Sequence, residues 1–174
     1  MQLAITALGE LSSDYLAELL SSVRDSKCSI VEMRSSCLAQ TRATYLLVQG
    51  SWNQIAKLEN ALESLHKHFA VQIHNVRTEP QLPAEASIPY VLETFSVDKD
   101  AVIESLSNFL VDRDINIEEV TGSSYQAAYN QTAVFAIRFV LLIPAHSQLM
   151  TLREDILDYC DQLNLDALFE PIKR

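Results

Sequence analysis

Leu3-Ala4-Ile5-Thr6-Ala7-Leu8 is a short strand-like run near the start of the chain, and Tyr90-Val91-Leu92-Glu93-Thr94-Phe95 stands 87 positions further on. Each run is followed by apolar residues at helical spacing: Tyr15, Leu16, Leu19, Leu20 and Val23 after the first, Val102, Ile103, Leu106, Phe109 and Leu110 after the second. The same interval separates Ile30 from Ile117, in the β-prone segments Cys28-Ser29-Ile30-Val31-Glu32 and Ile115-Asn116-Ile117-Glu118-Glu119. A repeat at fixed offset means one unit used twice.

The rest of each unit follows in the same order. Residues 43–49 and 133–143 are rich in β-branched and aromatic side chains and read as central strands. A second helix is predicted from Ile55, Leu58, Leu62 and Leu65 in one half, and from Leu149, Leu152, Ile156, Tyr159 and Leu163 in the other. Ser51 and Ser147 are the expected N-caps, because a serine oxygen accepts an otherwise unpaired amide of the first turn. Residues 70–76 and 165–171 supply a last strand. The order is βαββαβ, twice.

The expected fold is therefore α+β: two tandem βαββαβ units of ferredoxin-like arrangement, each a four-stranded antiparallel sheet with two helices on one face. Residues 79–87, with Pro80 and Pro83 and no apolar period, read as a linker between a first domain, 1–78, and a second, 88–174. The sheet face away from the helices must be covered or be tolerably polar. Each unit also leaves a sheet edge free, which pairing within the chain, or in a homodimer, would cover.

Composition narrows the function. The chain has 174 residues, 48% hydrophobic and 21% charged, enough to bury a core. Its formal charge of −10 falls unevenly, −2 over residues 1–87 and −8 over residues 88–174. Polyphosphate partners are held by Lys and Arg, and no basic cluster occurs, which argues against direct binding of DNA or RNA. No run of apolar residues is long enough for a membrane span, and the N-terminus has no signal-like stretch, so a cytoplasmic protein is expected. Cys28, Cys37 and Cys160 show no paired spacing and suit reduced thiols.

The repeated unit, with Ser29-Ile30 and Asn116-Ile117 opening its second strands, resembles the ACT family of amino-acid-sensing regulatory domains. Ile5-Thr6-Ala7-Leu8-Gly9 and Gly50-Ser51-Trp52 look like the glycine cleavage system transcriptional repressor family, and the likeness spans nearly the whole chain. That resemblance implies a regulatory protein that contacts a DNA-binding transcriptional activator and responds to a small amino acid such as glycine. The alternative it leaves is an interaction module, or an allosteric subunit of a metabolic enzyme, that no longer binds an amino acid.

The resemblance also implies where a ligand would sit: between the loop after the first strand and the second strand of a neighbouring unit. Here the loop is Gly9-Glu10-Leu11-Ser12-Ser13-Asp14-Tyr15, with Leu11 at the family's acidic position, Ser13 at its proline and Asp14 at its glycine. Ser12, Ser13 and Asp14 are candidate ligand residues, since helix N-terminal amides favour a carboxylate and Asp14 could take an ammonium. The residue types favour the plainer reading, in which a serine caps the helix and Asp14 answers its dipole. Asp98, in the second unit's loop, is a candidate on the same terms. Ile30, Asn116 and Ile117 are the second-strand candidates; as apolar residues Ile30 and Ile117 read as core, and Asn116 reads equally as a turn residue.

Nothing proposes catalysis. His66 and His68 lack companions at metal-ligand spacing, and three glycines, Gly9, Gly50 and Gly122, cannot build a phosphate-cradling loop. No enzyme activity, cofactor or metal is expected.

Overall fold

A computed structural model describes residues 1–80, 86–97, 101–126 and 132–172. The chain divides into two compact units, Met1–Leu82 and Pro83–Arg174. The first contains β1 (Gln2–Glu10), α1 (Tyr15–Asp25), β2 (Ser29–Leu38), β3 (Thr41–Gln49), α2 (Trp52–His68) and β4 (Val71–Thr78). The second contains β5 (Ser87–Ser96), α3 (Val102–Val111), β6 (Asn116–Gln126), β7 (Ala133–Pro144), α4 (Leu149–Gln162) and β8 (Asp166–Pro171). Most of the linker expected at 79–87, residues 81–85, lies outside the described residues.

Each unit forms a four-stranded antiparallel sheet, ordered β2-β3-β1-β4 in the first and β6-β7-β5-β8 in the second. This is the ferredoxin-like order expected from βαββαβ. One face of each sheet carries the core. Leu3, Ile5 and Ala7 of β1 alternate inward with Leu46 and Val48 of β3, and meet Tyr15, Leu19 and Val23 of α1 and Ile55, Leu58, Leu62 and Leu65 of α2. In the second unit, Leu92, Phe139 and Leu141 meet Leu106, Phe109 and Leu110 of α3 and Ile156 and Cys160 of α4. The period-two strands and period-3.6 helices thus bury one stripe each, both helices on the same face.

The repeat extends to backbone irregularities. Both second strands carry a bulge at the same place, between Ile30 and Glu32 and between Ile117 and Glu119. Lys27 and Asp114, 87 apart, both adopt left-handed backbone at φ 58° and 56° just after α1 and α3. Each is held by the same return bonds, Cys28 N–H to the Val23 carbonyl (3.2 Å) and Ile115 N–H to the Leu110 carbonyl (3.1 Å).

The cap expectations divide. Ser51 caps α2 in a reciprocal box: its hydroxyl accepts from the Gln54 amide (3.4 Å), and the Gln54 side chain accepts from the Ser51 amide (2.7 Å). Ser147 does not cap α4. That helix starts a residue later, with Gln148 at the N-cap position, and the Ser147 amide donates in a turn to the Pro144 carbonyl at 2.9 Å.

The two cores differ in polarity at matched positions. In the first unit the Tyr15 hydroxyl donates to the Arg42 carbonyl (2.8 Å) and lies 3.3 Å from the Thr44 hydroxyl, which is 2.9 Å from that of Ser35. The second unit has Val102 and Gly122 at the counterparts 87 residues on from Tyr15 and Ser35, and Ile137 in the ladder position of Thr44. Thr94, the counterpart of Ala7, is 1% exposed there, and its hydroxyl has no partner among the described residues. A buried hydroxyl without a partner costs roughly 1–3 kcal/mol of desolvation. Thr94→Val is accordingly expected to raise the unfolding free energy by about 1 kcal/mol, seen as a midpoint about 3 °C higher in a thermal melt. A lower midpoint would mean that the hydroxyl is satisfied in solution.

Candidate functional site

The loop from Leu11 to Asp14 joins β1 to α1 and is tied down by its own backbone. The Leu11 amide donates to the Gln40 carbonyl in the β2–β3 hairpin (2.9 Å), and the Ser13 amide donates to the Glu10 carbonyl (3.1 Å). The Asp14 carbonyl accepts from the Ala17 amide (3.1 Å), which begins the helix. Asp14 is the N-cap residue of α1, but its side chain makes no capping hydrogen bond. The expectation that Ser12 or Ser13 caps this helix is therefore corrected. Ser13 stands one residue too early, and the Ser12 hydroxyl turns back to the Glu10 carboxylate at 3.4 Å.

Between this loop and the hairpin lies an open cleft of about 630 Å³, lined by Glu10, Leu11, Ser12, Ala39, Gln40 and Thr41. Of the described candidate residues, only Ser12 lines it. Glu10 offers an exposed carboxylate for an ammonium group, and Ser12 a hydroxyl. The hairpin side was not visible in the sequence: its turn is Ala39-Gln40, with Ala39 at φ 54° where glycine or asparagine would have announced it.

Gly9 precedes the loop, and its missing side chain serves packing. A Cβ there would stand 2.9 Å from two ring carbons of Tyr15 and 3.2 Å from the Ala70 carbonyl oxygen. The tyrosine ring fills the space beside this backbone.

Ile30 is not core. It is 45% exposed, because β2 is the edge strand of its sheet and the bulge at Val31 follows directly. Ile117 packs partly buried against the core of its unit, whereas Asn116 is exposed and lies in β6, past the turn that ends at Asp114. Asn116 is thus a strand residue. Within the first unit, Ile30 is level with Leu3 of β1, seven residues from Glu10, so roughly 24 Å separates it from the loop. The unit does not bring the loop and Ile30 together. Asp98 lies outside the described residues.

The remaining reactive groups have structural explanations. Burial, and then the neighbouring Asp161 charge, push the Cys160 thiol up to about 11, which leaves it protonated at neutral pH. Burial also raises the Cys28 thiol. Nδ1 of His66 is 2.7 Å from the Val71 carbonyl oxygen and Nδ1 of His68 is 2.6 Å from that of Ser64. Among the described residues no three His, Cys, Asp or Glu side chains are grouped to hold a metal ion, and no helix is long and apolar enough to cross a membrane.

Comparison with known proteins agrees with this architecture. The ACT domain family model matches residues 1–75. The glycine cleavage system transcriptional repressor of Escherichia coli strain K12 is 24% identical over 164 residues, 93% of this chain and 85% of that protein, and the Shigella flexneri repressor matches equally. A crystal structure of a candidate glycine cleavage system transcriptional repressor superposes with a TM-score of 0.74 at 22% identity, covering 99% of this chain and 98% of that one. A Galdieria sulphuraria protein of unknown function superposes at 0.78 and 16% identity with the same coverage. At such identities the structures speak for the fold alone. The ACT domain model thus covers the first unit, the second repeats the same βαββαβ fold, and the chain as a whole is similar to the glycine cleavage system transcriptional repressors.

Proposed function

We propose that this chain is a cytoplasmic regulatory protein that acts by contact with a DNA-binding transcriptional regulator, and that a small amino acid such as glycine gates the contact from the cleft between Glu10–Ser12 and Ala39–Thr41. The observation that carries the reading is that likeness to the repressors runs through both units and is not confined to one. The acid balance supports it: a chain at −10 is repelled by phosphate and suited to a basic or dipolar protein surface. The reading assigns no catalytic residue and no cofactor. Co-elution of the purified chain with a purified DNA-binding activator of glycine cleavage genes tests the contact, and a complex is expected. Separate elution would remove it. Calorimetric titration with glycine and a panel of other amino acids tests the gating; silence across the panel would remove that part and leave the contact standing.

One observation favours a second reading, a tandem ACT interaction module or allosteric subunit whose amino-acid site has lapsed. The Leu11 and Ser13 amides, which could hold a carboxylate, are both spent on carbonyls of the chain itself, and Tyr15 fills the bare side of Gly9. Under this reading the amino-acid panel is silent and affinity capture recovers a metabolic enzyme in place of a DNA-binding regulator.

A further inference from the structure

The first unit's sheet has a second face, opposite its helices, that carries exposed apolar side chains. Leu8 of β1, Leu38 of β2, Tyr45 and Leu47 of β3 and Val76 of β4 all point to it, by their ladder positions opposite the inward set. Tyr45 is 45% exposed and Val76 66%, far more than apolar side chains of a finished core. Two shallow hollows of about 330 and 510 Å³ run across this face, both lined by Tyr45, Thr6 and His74.

We propose that this face binds the same face of a second copy of the chain, making a homodimer in which two first-unit sheets pack against each other. The proposal does not depend on the regulatory reading. Three features select a second copy as the occupant. The first is size: four strands of 8 to 10 residues span roughly 19 by 30 Å, comparable to one side of a standard protein–protein interface. The second is charge. The formal charges on the face are Glu32 and Arg34, which sit beside each other at 3.4 Å, and Glu10 at the loop end of β1. In a chain of net charge −10, a largely apolar face with a single excess charge at its rim is where two copies meet with least repulsion. The matching face of the second unit is unsuited, because Glu93, Glu119, Asp166 and Glu170 outnumber Arg138 on it. The third is self-complementarity. A two-fold contact sets each patch against itself, and here it can set Glu32 of one copy against Arg34 of the other while the apolar side chains interdigitate in a layer about 10 Å thick.

Sedimentation equilibrium of the full chain tests this. At about 100 µM the wild type is expected at twice its 19.5 kDa mass. The double variant Tyr45→Lys/Val76→Lys is expected to run as a monomer, with dimer affinity lowered at least about hundredfold, since two buried cations would face their symmetry mates. Both positions are exposed in the single chain, so its circular dichroism should match the wild type. Met150→Lys, a change at a 72% exposed residue of α4, should leave the dimer intact. A monomeric wild type would overturn the proposal and leave the face to some other protein. A dimer that survives the double variant would overturn it too, by placing the contact elsewhere.

Discussion

Replacing Tyr15 with alanine is expected to lower the unfolding free energy by about 3–5 kcal/mol, and replacing it with phenylalanine by about 1 kcal/mol. Tyr15 is fully buried and stands at the start of α1, where its ring fills the space left bare by Gly9. Alanine would leave a cavity against β1 and also remove the donor that satisfies the Arg42 carbonyl. Phenylalanine keeps the ring and loses only the hydroxyl, while Thr44 retains Ser35 as a partner. Urea unfolding followed by circular dichroism separates the two costs. Equal losses for both variants would show that the hydroxyl network, and not ring packing, dominates this corner.

Phe139→Ala should cost a similar amount, about 3–5 kcal/mol, in the second unit. Phe139 is fully buried on the central strand β7, flanked by Leu92 of β5 and Val120 of β6. A central strand between two paired neighbours cannot move inward to close the gap, so the cavity term adds fully to the transfer term. The contrast is Leu168, 45% exposed on the edge strand β8, where alanine should cost less than about 1 kcal/mol. If Phe139→Ala and Leu168→Ala prove alike in urea, the core as drawn is wrong.

The fold was legible because the repeat states it twice. Ile55, Leu58, Leu62 and Leu65 announce a helix by spacing alone, and all four are buried. Edge strands were harder. Ile30 is apolar and sits in a β-prone run, yet it lies outside the cover of the helices, and hydrophobicity cannot tell an edge from a centre. The site was legible only on one side. Ser12 could be placed beside the helix start, but the hairpin opposite depends on a tertiary amide–carbonyl bond from Leu11 to Gln40 and on a left-handed alanine, neither of which has a local signature. Caps fell between: Ser51 has Gln54 three residues on to complete its box, whereas Ser147 is followed three residues later by Met150, which cannot return a hydrogen bond.

The bulges in β2 and β6 bear on how these strands can change length. Elsewhere in a strand, losing one residue turns every later side chain to the opposite face. At Val31 and Glu118 it does not, because Ile30 and Glu32 already pair with the adjacent Val48 and Leu47, and Ile117 and Glu119 with the adjacent Leu141 and Val140. Each unit therefore carries, at the same point, one residue that can be deleted with the rest of the ladder kept in step.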